Sequence, residues 1–306
     1  MNLRRLKYFV KIVDIGSLTQ AADILHIAQP ALSQQLATLE SEVKQQLLIR
    51  TKRGVTPTDA GQILYTHAQA ILRQCERAQS AIDGSALLLS GTVSVGLAPG
   101  TAASLLALPL FEAVKQQHPG ILLYYNENFG TTLSELIMSG RMDMAVLYGN
   151  RDIHGLSFIS LMKEDLYLVN SSQAPQVGNT VSLEQVAKYD LFLPQTYNYM
   201  RKVVDEAFSS RGLVGHVVCE IESVTTLTAA VASGHGATVL PESAARALLG
   251  PAGAWMAKII NPGIQAPLSF CSSDHLPLSQ PAQAVKKILL SLMAERTTDN
   301  RPLALV

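Results

Sequence analysis

Cysteine is the first shortage. Only Cys75, Cys219 and Cys271 occur in 306 residues. None sits in a CxxC pair or at a histidine-spaced position, which excludes a disulfide framework and a zinc-finger ligand set and makes a reducing cytoplasm the expected compartment. The seven histidines (His26, His67, His118, His154, His216, His235, His275) are as scattered. They form no HxH or HExxH, and no GxSxG elbow occurs, so neither an enzyme nor a bound metal or cofactor is expected. Gly234-His235-Gly236 resembles a phosphate loop only superficially; two glycines between a helix and a strand serve a tight turn. Long apolar runs are also missing. Lys7, Lys11 and Asp14 interrupt the N-terminal segment, and no later stretch reaches the length of a membrane span, so neither a secretion signal nor a membrane partner is expected. Finally, there is no net charge: 24 basic side chains balance 24 acidic ones. The balance is local, however. Residues 1–58 carry eight cations (Arg4, Arg5, Lys7, Lys11, Lys44, Arg50, Lys52, Arg53) against Asp14, Asp23, Glu40 and Glu42, a basic head on a slightly acidic body.

Within that head, residues 17–39 read as a helix-turn-helix. Ser17 and Gln20 have the spacing of a reciprocal capping box. Leu18, Ala21, Ala22 and Leu25 follow at helical intervals, the alanines leaving room for a close crossing. A second helix opens around Gln29 and Pro30, where proline's missing N–H costs nothing. Leu32, Leu36 and Leu39 face inward from it, while Gln29, Ser33, Gln34 and Thr38 are expected outward, neutral hydrogen-bonding groups suited to base edges in a major groove. Before it, residues 2–15 place Leu3, Leu6, Phe9, Val10 and Val13 on one stripe of a further helix that Gly16 ends. After it, residues 47–56 read as a β-hairpin wing whose Arg50, Lys52 and Arg53 are set to meet phosphates. The partner this implies is double-stranded DNA.

Thr58 is placed to cap a long helix from Asp59. Leu64, Ala68, Ile71, Cys75, Ala78, Ile82, Ser85 and Leu89 repeat at alternating spacings of four and three, a heptad seam that predicts self-association. Asp83-Gly84-Ser85 is expected to loosen its end. From Gly91 the pattern alternates: strands at 92–97, 121–126 and 142–148 with helices at 103–117 and 131–139, then strands at 164–169, 191–193, 216–221 and 237–240 with helices at 182–188, 199–211, 224–233 and 242–249. Further strands at 255–260 and 268–272 and a helix at 280–295 close the chain. Two α/β lobes in series follow, with a ligand cleft expected at the C-terminal strand ends. Gly100 and Thr101 at one strand-to-helix turn, and Gly130, Thr131 and Thr132 at the next, would supply N–H groups and hydroxyls there.

Phe9, Gly16-Ser17, Ala21-Ala22, Leu25, the run from Gln29 to Ser33, Leu39-Glu40, Arg50 and the run from Thr58 to Gly61 together resemble the N-terminal signature of LysR-type transcriptional regulators. Gly234-x-Gly236 and Leu240-Pro241 extend the resemblance along the whole chain. Residues 46–61, Leu97 to Ser104, Glu220 to Ser223 and Leu240 to Arg246 resemble the branch that controls nitrogen assimilation genes. The family resemblance implies a winged helix-turn-helix domain (1–58), a linker or dimerisation helix (59–90) and a two-lobed periplasmic-binding-protein-like α/β effector domain (91–306). In that domain, lobe I comprises 91–162 with 267–306 and lobe II 163–266. It further implies a promoter-binding homodimer or homotetramer that activates or represses transcription, meets RNA polymerase, and responds to a small-molecule effector touched by Gln195 and Thr196 as well. Three positions depart from the pattern: Ala28 lacks the hydroxyl that caps the recognition helix in relatives, Lys44 replaces a usual glycine, and Leu48 a usual phenylalanine. A solute-binding protein is the competing reading of the C-terminal half alone, and the head in front of it argues against that.

Overall fold

A computed structural model describes residues 1–51, 54–82, 89–100, 103–149 and 153–298. The chain forms two compact units, one made mainly of residues 1–86 and the other of the remainder.

In the first unit, α1 (Leu3–Ile15) is capped by Asn2 and ended by Gly16 at φ 70. Its core stripe is Leu6, Phe9 and Ile12, with Val10 and Val13 packed at the side. Leu3, expected on that stripe, is 47% exposed because its turn projects past the edge of the core. Helices α2 (Leu18–Ile24) and α3 (Gln29–Val43) cross over buried Ala21, Ala22, Leu32, Leu36 and Leu39. Only half of the expected capping box forms. The Ser17 hydroxyl accepts from Gln20 N at 3.4 Å, whereas a complete box closes α7 (Leu183–Val186) through Ser182 and Gln185. Strands β1 (Leu48–Thr51) and β2 (Gly54–Pro57) pair antiparallel as the wing. Thr58 then caps α4 (Asp59–Ile82), its Oγ1 accepting from Gly61 N at 3.0 Å.

The heptad helix is shorter than its pattern. Residues 83–88, including Asp83-Gly84-Ser85, lie outside the described residues, and Leu89 is not helical but packs against the core of the second unit just ahead of β3 (Ser90–Leu97).

The second unit is built on one ten-stranded sheet. Parallel β4 (Gly120–Glu127), β3 and β5 (Met144–Tyr148) lie at one end, with α5 (Ala107–Gln117), α6 (Gly130–Met138) and α11 (Gln280–Thr298) beside them. At the other end, β10 (Ala237–Pro241), β8 (Asp190–Leu193) and β9 (His216–Glu220) carry α8 (Tyr199–Ser210), α9 (Val224–Ala232) and α10 (Glu242–Ala252). The two ends are joined by β6 (Leu156–Ser171) and β12 (Gln265–Ser273). From Leu156 to Asp165, β6 pairs with β12; from Leu166 onward it pairs with β10 and with β11 (Ala254–Ile260), which also holds β7 (Thr180–Ser182). The first half of β6 and the whole of β7 have no counterpart among the expected strands. Among the described residues no helix is long and apolar enough to cross a membrane.

Candidate functional site

In the first unit the exposed face of α3 carries Pro30, Ala31, Gln34 and Ala37, with Gln29, Ser33 and Thr38 half-buried beside it. Proline opens the helix as expected, and Ala28, at the N-cap, makes no side-chain bond. The expected polar face is narrower than its residue types suggest. Ser33 Oγ accepts from Arg50 Nη2 at 3.0 Å, and Thr38 Oγ1 donates to Gln34 O at 2.9 Å, so the Thr38 hydroxyl is spent within its own helix. Gln34 remains an exposed amide able to pair with a base edge. Ala31 and Ala37, which the polar pattern passed over, present methyl groups on either side of it; their spacing of three from Gln34 was the available signal.

The wing is held to the turn between α1 and α2 by backbone. Val55 N donates to Gly16 O at 2.8 Å, and a Cβ on Gly54 (φ 132) would lie 2.6 Å from the same oxygen. Glu40, on the inner side of α3, accepts from Leu47 N at 2.8 Å and Leu48 N at 3.2 Å, fixing where β1 starts. Gly61 is required by contact: a Cβ there would meet Leu47 O at 2.0 Å. Arg50 is exposed on β1, while Lys52 and Arg53 lie outside the described residues. At the far end of the head, Tyr65 donates to Asp14 at 2.5 Å. Burial, then the neighbouring Asp14 carboxylate, pushes the Tyr65 phenol up to about 12.

The seam of α4 divides in two. Ala68 is fully buried, and Leu64 and Ile71 are packed, against the head's own core. Pairing with a second copy is therefore not needed to cover them, contrary to the premise drawn from spacing. Further along, Cys75 is half-buried and Ala78 exposed. Ile82 ends the helix.

In the second unit a cavity of about 250 Å³ lies between the lobes at the C-terminal ends of β3, β5, β8, β9 and β10. Gly100, Gly130 and Thr131 line it as expected; Thr132, Gln195 and Thr196 do not, and Thr101 lies outside the described residues. Gln195 and Thr196 are exposed because α8 begins only at Tyr199, and it is Pro194, Asn198 and Tyr199 that turn toward the cavity. The walls are mainly apolar, and the lobes come close at the rim, where a Cβ on Gly100 would meet Val224 Cγ2 at 3.3 Å. Beneath the cavity, buried Glu164 on β6 accepts from the Tyr148 hydroxyl of lobe I and, at 2.9 Å, from Ser243 N at the start of α10. Glu222, after β9, faces the cavity, and its Oε2 accepts from the Tyr197 hydroxyl at 2.6 Å. That hydrogen bond is the main reason the Tyr197 phenol is held above its ordinary range. A separate apolar strip, Leu108, Phe111, Leu122 and Tyr124, is exposed along α5 and the sheet-edge strand β4.

Comparison with known proteins bears on both units. Residues 3–62 match the family model described as bacterial regulatory helix-turn-helix protein, lysR family, and residues 87–294 that of the LysR substrate binding domain. The chain is 58% identical over 306 residues to the nitrogen assimilation regulatory protein nac of Klebsiella aerogenes. It is 55% identical over 306 residues to the protein of that name in Escherichia coli (strain K12). Both alignments cover 100% of each chain. Among solved structures, full-length CbnR in complex with its target DNA superposes with a TM-score of 0.72 at 23% identity, covering 96% of this chain and 100% of that one.

Proposed function

The chain belongs to the LysR family of bacterial helix-turn-helix regulators, and from that premise we propose that it binds promoter DNA as a homo-oligomer and controls genes of nitrogen assimilation. The observation that carries this reading is the head: a proline-opened α3 presents Gln34 between two methyl groups, with the Arg50 guanidinium hydrogen-bonded to the same helix. An amide flanked by methyls fits an adenine edge next to a thymine methyl, and a guanidinium beside it fits a phosphate. Full-length identity of 58% and 55% to two nitrogen assimilation regulators supports the gene class. Lys52 and Arg53 would add phosphate contacts from the wing tip.

Oligomerisation is supported by the second half of the α4 seam, where Cys75 is half-buried and Ala78 exposed, and by the exposed apolar side chains of α5 and β4. At promoters where it activates, the bound oligomer would meet RNA polymerase. The cavity is read as an effector site because it lies at the strand ends where such sheets take ligands. The protein's place is the cytoplasm, with the DNA it reads.

The test is genome-wide occupancy in cells grown with and without a preferred nitrogen source. Enrichment at nitrogen assimilation promoters, lost in a Gln34→Ala strain, is the expected outcome. Occupancy that ignores both the nitrogen source and the substitution overturns the reading.

A further inference from the structure

Among the described residues lining the inter-lobe cavity, Glu222 is the one ionised side chain, and no lysine, arginine or histidine joins it. One of its oxygens is engaged by Tyr197. The other, Oε1, is buried with no hydrogen-bond partner. A buried acceptor left unmatched is costly, and a carboxylate oxygen more so than a neutral one.

Three N–H groups at helix starts around the cavity are already bound by the protein's own acceptors. Ser243 N, at the first turn of α10, is bound by Glu164 at 2.9 Å. Thr226 N, at the first turn of α9, is bound by the Ser223 hydroxyl at 3.3 Å, and Phe129 N, just before α6, by Asn128 Oδ1 at 2.9 Å. A ligand carboxylate would find these donors occupied and the Glu222 charge facing it. The remaining wall is apolar and partly aromatic, with Phe129, Tyr148, Phe192 and Leu227 around the space.

Building on the reading of this cavity as an effector site, we propose that its ligand is a small molecule with a compact apolar or aromatic body and a protonated amine, the ammonium donating to Glu222 Oε1. Such a ligand pairs the orphaned oxygen, neutralises the one charge in the site, and lays its body against ring faces that attract cations.

The experiment is calorimetric titration of the full-length protein with three probes of matched shape: 2-phenylethylamine, 2-phenylethanol and 3-phenylpropanoate. The amine should bind at least about tenfold more tightly than the acid, with the alcohol between them. Glu222→Gln should lose about tenfold for the amine and leave the alcohol unchanged, as expected for one charge-assisted hydrogen bond. Glu222→Asp, which keeps the charge, should retain most of the preference for the amine over the acid. A thermal melt of each variant confirms that the fold is kept. Equal or tighter binding of the acid, amine binding unaffected by Glu222→Gln, or no amine binding at all overturns the proposal. DNA binding by the same preparations, to a duplex that the protein selects from a randomised pool, reports separately on the regulator reading. Loss of sequence preference there would overturn that reading, while the comparison of amine with acid decides this one.

Discussion

At Lys44 the backbone turns left-handed, φ 55 and ψ 33, to end α3. A side chain with a Cβ bears a steric cost there that glycine does not, so Lys44→Gly should stabilise the head by about 1 kcal/mol. Calorimetry of the full chain checks this as a rise in the melting temperature of the first unit. Gln34 and Arg50 make a contrasting pair. Gln34→Ala should cost about 1–3 kcal/mol on the preferred duplex and little on random DNA, whereas Arg50→Ala should weaken both and lower the salt slope by about one ion. Fluorescence anisotropy over a salt series distinguishes them, and equal losses for the two variants would contradict the assigned roles. Single residues were legible where local chemistry decides: Ser17, Pro30 and Thr58 stand where capping and proline rules put them. Ser33 and Thr38 were expected outward, and their partners, Arg50 and the Gln34 carbonyl, were not legible because they are set by tertiary placement and by helix geometry that residue type does not reveal.

Among the elements, α4 shows what a periodic pattern leaves open. The heptad spacing marks which face of the helix is covered but not by what, and the head's own core takes Leu64, Ala68 and Ile71. The two halves of the seam should therefore respond differently. Ile71→Asp should lower the melting temperature of the head by placing a charge against its core, whereas Ala78→Asp should leave the melt intact and weaken self-association. Sedimentation velocity at several concentrations measures the second effect; an unchanged oligomer in Ala78→Asp would mean that this part of the seam pairs with nothing. The first half of strand β6 escaped notice for another reason. Its partner pairing steps from Leu268↔Met162 to Ser269↔Ser160, so Leu161 is the extra residue of a bulge. A bulge shifts the faces of a strand by one residue, and the alternation that identifies strands from sequence disappears across it. The parallel strands β3, β5 and β8, buried with apolar runs between turn residues, were legible by contrast.

Across the molecule, the order of the two units and the two-lobed plan follow from composition and alternation, while the character of the cavity does not. Its charge comes from Glu222, on the turn after β9, while Glu164 on β6 lies outside its lining. Glu164 joins Tyr148 of lobe I to the start of α10 in lobe II. Glu164→Ala would remove two hydrogen bonds to a buried carboxylate, and should destabilise the second unit by about 2–4 kcal/mol while leaving the melt of the head unchanged. Denaturant unfolding followed by circular dichroism measures the loss, and a change below about 1 kcal/mol would show that water replaces the carboxylate.

The pairing of β6 with β12 has a mechanical meaning. Both crossings between the lobes run side by side, hydrogen-bonded from Gln265↔Asp165 to Ser273↔Leu156. Such a ribbon is stiff against bending in its plane and against sliding, because both deformations stretch its rungs, and compliant in torsion about its long axis, the direction in which strands twist naturally. The lobes thus have one soft degree of freedom. An occupant of the cavity would then act by wringing the ribbon rather than by opening a jaw, and its signal would be an angle.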